Sequence, residues 1–217
     1  MKTGLRFYLS LLIKAILAGL CIGLGGVVYL SCTSKIVGAV LFAIGLLTIL
    51  LFKLKLFTGA CGYLIEANKK LAYFLELGII WIGNFLGAFL VAKAISYTRL
   101  SFNLDFVSVK LEDTLLSLLI LGIGCGFLMY VGVDTFNHTN IGPIMPIFCV
   151  TVFILAGFEH CIADMFYFSL NGLSWDAVVC LLVITAGNLI GSWLIPIASK
   201  LLLIGSPNNA KCKKNKM

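Results

Sequence analysis

Polar residues are so sparse along this chain that they mark out six long apolar segments, at about 8–30, 36–64, 73–97, 114–133, 145–171 and 176–204. Each reaches the roughly 20 residues that a helix rising about 1.5 Å per residue needs to cross a hydrocarbon core of about 30 Å. The pattern predicts an all-α membrane protein with six transmembrane helices. Segments two and five carry interruptions near mid-membrane: Phe57-Thr58-Gly59 in the second and Gly157-Phe158-Glu159-His160 in the fifth. Glycine frees the backbone to leave the helical ladder. Amide groups freed at that depth persist only where they line a cavity or pack within protein.

The two halves of the chain correspond. Segment three contains Gly83-Asn84-x-x-Gly87 and segment six contains Gly187-Asn188-x-x-Gly191, offset by 104 residues. Gly19 and Gly23 in segment one are matched with Gly122 and Gly126 in segment four, offset by 103, and Phe57 with Phe158, offset by 101. Glycine pairs are common in packed membrane helices, so the argument rests on the shared offset. An odd number of spans per repeat makes the repeats opposite in orientation, and paired interruptions in such halves point to a transport site. The expected fold is one transmembrane domain over 1–217. Repeat 1 covers about 8–97, repeat 2 covers about 114–204, and 205–217 is a basic cytoplasmic tail.

Composition agrees with a membrane protein. Of 217 residues, 61% are hydrophobic and 12% charged, and the mean hydropathy is +1.09. A soluble domain of this size could not cover so much apolar surface. The first run, after Lys2 and Arg6, reaches Leu30 without a clear small-residue cleavage site, so it reads as a helix rather than a signal peptide. The net charge of +7 comes without a basic stripe interleaved with aromatics, so no nucleic-acid partner is expected. With both ends inside, Lys2, Arg6, Lys14, Lys69, Lys70, Lys200, Lys211, Lys213, Lys214 and Lys216 lie on the inner side. Lys35, Lys93, Arg99 and Lys110 lie on the outer side. The imbalance favours cytoplasmic termini by the positive-inside rule, although the 134–146 connection carries no Lys or Arg. Cys21, Cys61, Cys125, Cys149, Cys161 and Cys180 sit in apolar segments with no CxxC pair and no zinc spacing, so they read as small buried hydrophobes. No metal and no cofactor is expected.

The densest chemistry is Gly157-Phe158-Glu159-His160-Cys161-Ile162-Ala163-Asp164-Met165. An ionisable side chain costs about 2.5–3.5 kcal/mol at mid-membrane even on the gentler insertion scales. Glu159, His160 and Asp164 within six positions therefore need a pore, a partner or a site. Imidazole can donate to an anion and titrates in the physiological range, which makes His160 the leading pore residue. A core histidine on an apolar face is the plainer reading, and the break and neighbouring charges weigh against it.

These residues resemble the formate/nitrite transporter family. GFEHCIADM is similar to its GFEH-(Cys/Ser)-x-Ala-x-Met signature, Leu56-Phe57-Thr58-Gly59 is similar to its LFTG/LFTS loop, and the two Gly-Asn motifs sit where that family has them. The resemblance covers essentially the whole chain. It implies an aquaporin-like protomer with helices 2 and 5 broken, a homopentamer in the cell membrane (a bacterial-type inner membrane), and one path per protomer for formate, nitrite or hydrosulfide. It further implies that His160 is the central pore histidine, with Thr58 opposite it and Lys110 near the pore. Leu56 and Phe57 become the constriction on one side, Phe153 and Phe158 that on the other. Departures are Gly126, where many members have Asn; Asp164, where Asn is commoner; Lys55, at a site often acidic or small; and shortened loops.

The plainer readings stand beside these. Thr58 could bond back to its own helix, and the four constriction residues could be ordinary packing. Lys110 could be a loop lysine among Asp105, Glu112 and Asp113. A carboxylate lining an anion path would oppose its substrate. Glu159 is therefore read, with Gly59 and Gly157, as structural at the breaks, accepting N–H groups there or at a subunit contact; Asp164 is read similarly, with a lysine partner. His138 reads as a loop residue. Lys53 and Lys55 either snorkel to water or form an anion-attracting vestibule, and the sequence leaves both open. Two other functions were weighed. A neutral-solute pore of aquaporin type lacks its Asn-Pro-Ala pairs here. An intramembrane metal-dependent enzyme lacks a second buried histidine and a nucleophile motif. The expected function is thus an anion channel or transporter, with proton linkage through His160 as its finer part, and not an enzyme.

Overall fold

The structure is a computed structural model and describes residues 2–204; the basic tail 205–217 lies outside the described residues. The helices are α1 (Lys2–Ser31), α2 (Lys35–Leu51), α3 (Phe57–Ala60, continued by a 3-10 turn Cys61–Ile65), α4 (Lys70–Ser96), α5 (Asp105–Glu112), α6 (Leu115–His138), α7 (Ile144–Ala156), α8 (Cys161–Asn171) and α9 (Trp175–Ile204). Among the described residues α1, α4, α6 and α9 are each long and apolar enough to span a bilayer unbroken. The α7–α8 pair makes a fifth span bent by 51°. The predicted second span is not one helix. α2 has 17 residues, about 26 Å of helix, which falls short of the hydrocarbon thickness until α3 and its 3-10 turn continue it.

Helices 2 and 5 are both broken, but the first break comes before Phe57-Thr58-Gly59 in the sequence. α2 stops at Leu51, residues 52–56 are non-helical, and Phe57 begins the next helix. The residue that turns the chain out of α2 is Lys53, with φ 52°, and its counterpart after α7 is Gly157, with φ 74°. Glycine adopts this left-handed geometry without penalty, whereas lysine is a rare occupant. The second break was therefore announced by its glycine and the first was not.

Both freed helix starts are held by the Gly-Asn motifs. Asn84 Oδ1 accepts the Phe57 N–H (2.9 Å), while its Nδ2 donates to the carbonyls of Ala15 (2.7 Å) and Lys55 (2.9 Å). Asn188 repeats this with the Cys161 N–H (2.9 Å) and the carbonyls of Gly122 and Glu159 (both 2.8 Å). Three of Asn84's partners and three of Asn188's match one for one, and this fixes the register of the repeats. Segments two and three map onto five and six with an offset of 104, as the Gly-Asn motifs do. The first helix maps with 107, so Gly19 pairs with Gly126 and not with Gly122. Phe57 pairs with Cys161 and not with Phe158.

Close packing confirms that register. A Cβ on Gly19 would lie 2.1 Å from the Asn84 carbonyl oxygen, and a Cβ on Gly126 2.1 Å from that of Asn188. α1 packs on α4 as α6 packs on α9, and α8 also packs against α4 as the 3-10 turn packs against α9. The Trp81 indole N–H donates to Thr185 Oγ1 (3.1 Å), joining two positions that are themselves equivalent. The outward faces carry exposed Leu41, Ile44, Leu90, Ile120 and Leu194, as a lipid-facing surface requires. These are two inverted three-helix repeats in a multi-pass membrane protein.

Asn84→Ala and Asn188→Ala should each cost at least about 2 kcal/mol, because each leaves a buried N–H and two carbonyls short of partners. Thermal unfolding in detergent should show the loss for both; an unchanged midpoint for either would contradict the clamp.

Candidate functional site

The two breaks meet at the centre of the fold. Thr58, in α3, and His160, directly before α8, are 1% and 2% exposed. Thr58 Oγ1 and His160 Nε2 lie 2.8 Å apart. The other ring nitrogen settles the direction of that bond. His160 is the N-cap of α8, and its Nδ1 accepts the Ala163 N–H at 3.1 Å. A nitrogen that accepts carries no proton, so the neutral ring has its hydrogen on Nε2 and donates to Thr58. The Thr58 hydroxyl hydrogen is then free for a third group.

Aromatic packing fixes the ring. Phe153 stacks on His160 at 5.5 Å between centroids and 21° between planes, and Phe42 meets Phe153 edge-on at 6.2 Å. Phe153 is seven residues before His160 but one helix away across the bend, which is how it reaches the face of the imidazole.

A cavity lies on each side of this contact. One, of about 460 Å³, has His160, Phe153, Phe158, Lys110, Glu159 and Asp164 in its wall. The other, of about 230 Å³, is lined by Lys53, Lys55, Leu56, Gly59, Tyr63 and Val133 among others. Thr58 and Phe57 line neither cavity and are buried. Under the 104-residue register Leu56 is the counterpart of His160. The two cavities thus end on equivalent positions, one aliphatic and one a hydrogen-bonding ring. Leu56 and Phe57 are each 4% exposed and Phe153 3%. Phe158 is half-buried, with its ring against Gly124, where a Cβ would come within 2.8 Å of it.

The lysine partner expected for Asp164 is present, while Lys110 and Glu159 depart from their plainer readings. Lys110, at the end of α5, makes no ion pair with Asp105, Glu112 or Asp113 among the described residues. Its ammonium instead donates to both Glu159 and Asp164, the latter at 2.7 Å, and lies 5.8 Å from the centre of the Tyr167 ring. Burial works against that charge, but the carboxylates of Asp164 and Glu159 overcome it and raise the lysine pKa above its ordinary value. Glu159 therefore spends its carboxylate on a lysine and not on N–H groups at the break. There its backbone N–H donates to Leu121 and its carbonyl accepts from Asn188.

Lys53 and Lys55 are exposed on the smaller cavity. His138 is outside both cavities, exposed, with Nδ1 3.0 Å from Asp134 Oδ1. Gly59 lines the smaller cavity, where a Cβ would meet Val133 at 3.2 Å. Sequence reasoning missed Asn84 and Asn188 as site residues although it had singled out their motif. It missed Phe42, Tyr29 and Tyr167 altogether, because nothing local distinguishes them from packing.

Cavities on either side of a capped, buried histidine, between two interrupted helices, are features in keeping with a membrane transport protein. The formate/nitrite transporter family model matches residues 2–201. The chain is 26% identical over 197 residues to the formate channel FocA of Haemophilus influenzae, covering 76% of this chain. It is 28% identical over 190 residues to formate-nitrite transporter 2 of Toxoplasma gondii, covering 80% of this chain. It spans 67% of the first relative's length and 41% of the second's. A solved structure described as a pentameric formate channel with formate bound superposes with a TM-score of 0.80 at 21% identity, covering 93% of this chain and 99% of that one. The chain belongs to the formate/nitrite transporter family. Its relatives are channels and transporters, not enzymes.

Thr58→Val removes the acceptor of the His160 Nε2–H and should lower stability by about 1–3 kcal/mol, whereas Thr58→Ser should stay near the parent. Equal unfolding midpoints for the two variants in detergent would contradict the assigned bond.

Proposed function

We propose that the chain is a channel for small monovalent anions, with formate, nitrite and hydrosulfide as the candidate class, conducting through the Thr58–His160 contact. The observation that carries this reading is the buried 2.8 Å hydrogen bond between the two broken segments, with a cavity on either side. Leu56 and Phe57 narrow the path on one side, Phe153 and Phe158 on the other. Gly157 turns the chain at the second break, where Asn188 holds the backbone of Glu159; Gly59 lies in α3 on the smaller cavity, and Lys110 stands at the mouth of the larger one.

The chemistry follows from the ring's state. Thr58 accepts from His160 and so offers its own hydrogen to the substrate, and the Nε2–H can turn to the substrate when the pair separates. The amino end of α8, with its partial positive charge, adds to the attraction for an anion at this point. Crossing the apolar flanks is another matter. A buried ion costs several kcal/mol even after relaxation, and up to about 20 kcal/mol in the idealised limit. A carboxylic acid with a pKa near 4 is protonated at neutral pH for about 4 kcal/mol, at about 1.4 kcal/mol per unit. Passage as the weak acid is therefore cheaper. The imidazolium form would put a hydrogen on Nδ1 and break the cap on Ala163, so the proton reaches the substrate through water more easily than from His160 itself. The shared fold with a solved pentameric formate channel supports homopentamer assembly, and the lysine distribution supports cytoplasmic termini in a cell membrane of bacterial-inner-membrane type.

The test is uptake of formate, nitrite and hydrosulfide into proteoliposomes across a pH series, beside His160→Asn. Asparagine caps helices well, so the variant should fold with α8 intact. Its flux should fall by roughly tenfold or more with an altered pH profile, as loss of one aimed donor implies. Unchanged flux and unchanged pH dependence would defeat the reading.

A further inference from the structure

Two carboxylates share one ammonium in the wall of the larger cavity. Asp164 is 1% exposed; its Oδ1 accepts a hydrogen bond from Lys110, and its Oδ2 is buried with no hydrogen-bond partner among the described residues. Glu159 is 5% exposed and is bound to the same Lys110 nitrogen. Written with both carboxylates ionised, Lys110, Glu159 and Asp164 sum to one negative charge, with an unsatisfied carboxylate oxygen facing low-dielectric surroundings. A buried charge left without a partner is normally removed by taking up a proton. Two carboxylates held together by one cation favour a single shared proton for the same reason.

The other titratable groups around the cluster do not cancel that charge. Lys35, at the start of α2, lines the same cavity but is exposed and forms no ion pair with either carboxylate. His160 faces the cavity from the break with its hydrogen committed to Thr58. Tyr29 of α1 and Tyr167 of α8 complete the wall. Cys180 of α9 approaches the Lys110 carbonyl at 4.0 Å, and Cys125 of α6 and Cys161 of α8 are close enough to interact electrostatically with the cluster. Lys35 is the one cation in this set, and it is bound to neither carboxylate.

We propose that Lys110, Glu159 and Asp164 form a proton-binding site at the mouth of the path, one proton being shared by the two carboxylates with Asp164 Oδ2 as its second seat. The inference rests on the channel reading for its consequence. With the proton bound, the mouth is neutral and an anion enters unopposed. When the proton leaves to solvent as pH rises, the mouth gains one negative charge and repels the anion. Asp164 sets this behaviour, since without its charge the Lys110 ammonium and the Glu159 carboxylate offset each other.

The test is formate uptake by the full-length protein in proteoliposomes from about pH 6 to about pH 9, where formate is almost all anion and its own protonation affects every variant alike. The Asp164→Asn rate, divided by the parent rate, should rise about fivefold or more across the series, on the scale of one unit charge near the path. A ratio that stays constant overturns the proposal. Glu159→Gln should give the same rise, and it decides the matter where Asp164→Asn does not assemble. Infrared spectra of the purified parent give a readout independent of transport. A protonated-carboxyl C=O stretch should be present at neutral pH, titrate away at alkaline pH and be missing in Asp164→Asn; its absence in the parent overturns the site. If the parent transports none of the anions while this band is present, the channel reading fails and the proton site stands.

Discussion

The fold depends on keeping backbone amides satisfied where a helix stops inside a membrane. In hydrocarbon an unpaired N–H or C=O costs several kcal/mol, and this chain interrupts two helices there. Asn84 and Asn188 meet the constraint identically. Each accepts the first N–H of the restarted helix and donates to a carbonyl of the preceding loop and to a carbonyl of the first helix of its own repeat. The small residues around them follow from this. The first helix must come close enough to present its carbonyl, so Gly19 and Gly126 sit against the asparagine backbones with no room for a Cβ.

Function enters where the repeats differ. At equivalent places stand Lys53 and Gly157, Lys55 and Glu159, Leu56 and His160. The clamp uses only the backbone of Lys55 and Glu159, which leaves their side chains free to vary. One points a lysine at the smaller cavity and the other a carboxylate at Lys110. His160 does two jobs that only its position permits, capping α8 with Nδ1 and donating to Thr58 with Nε2. The cap fixes the tautomer, and the tautomer fixes which atom of the Thr58–His160 pair can serve a substrate.

Much of this could be read from the residues. Six apolar runs, two breaks and the GFEH element locate the centre, and Gly157 marks one break because no other residue turns a helix so cheaply. The other break was displaced by several residues since a lysine occupies the left-handed position. The repeat register came out wrong for the first helix: glycines spaced by four fit two alignments, and only the carbonyl each one contacts tells them apart. Lys110 could not be assigned from its neighbours. Its partners are 49 and 54 residues away, and the choice between them and the nearby Asp105, Glu112 and Asp113 is made by the packing of α5 over α8. Phe42 illustrates the remainder, an ordinary apolar residue whose place beside Phe153 exists only in three dimensions.

The central claim is that His160 works as a neutral ring with its hydrogen on Nε2, donated to Thr58. The chain has two histidines, so nitrogen NMR of histidine-labelled protein in lipid, with His138→Gln to assign the signals, observes the ring directly. The account requires a neutral, Nε2-protonated ring under conditions where anions are conducted, with a shift in its Nε2 signal in Thr58→Val. A ring protonated on Nδ1, or on both nitrogens, under those conditions would contradict it.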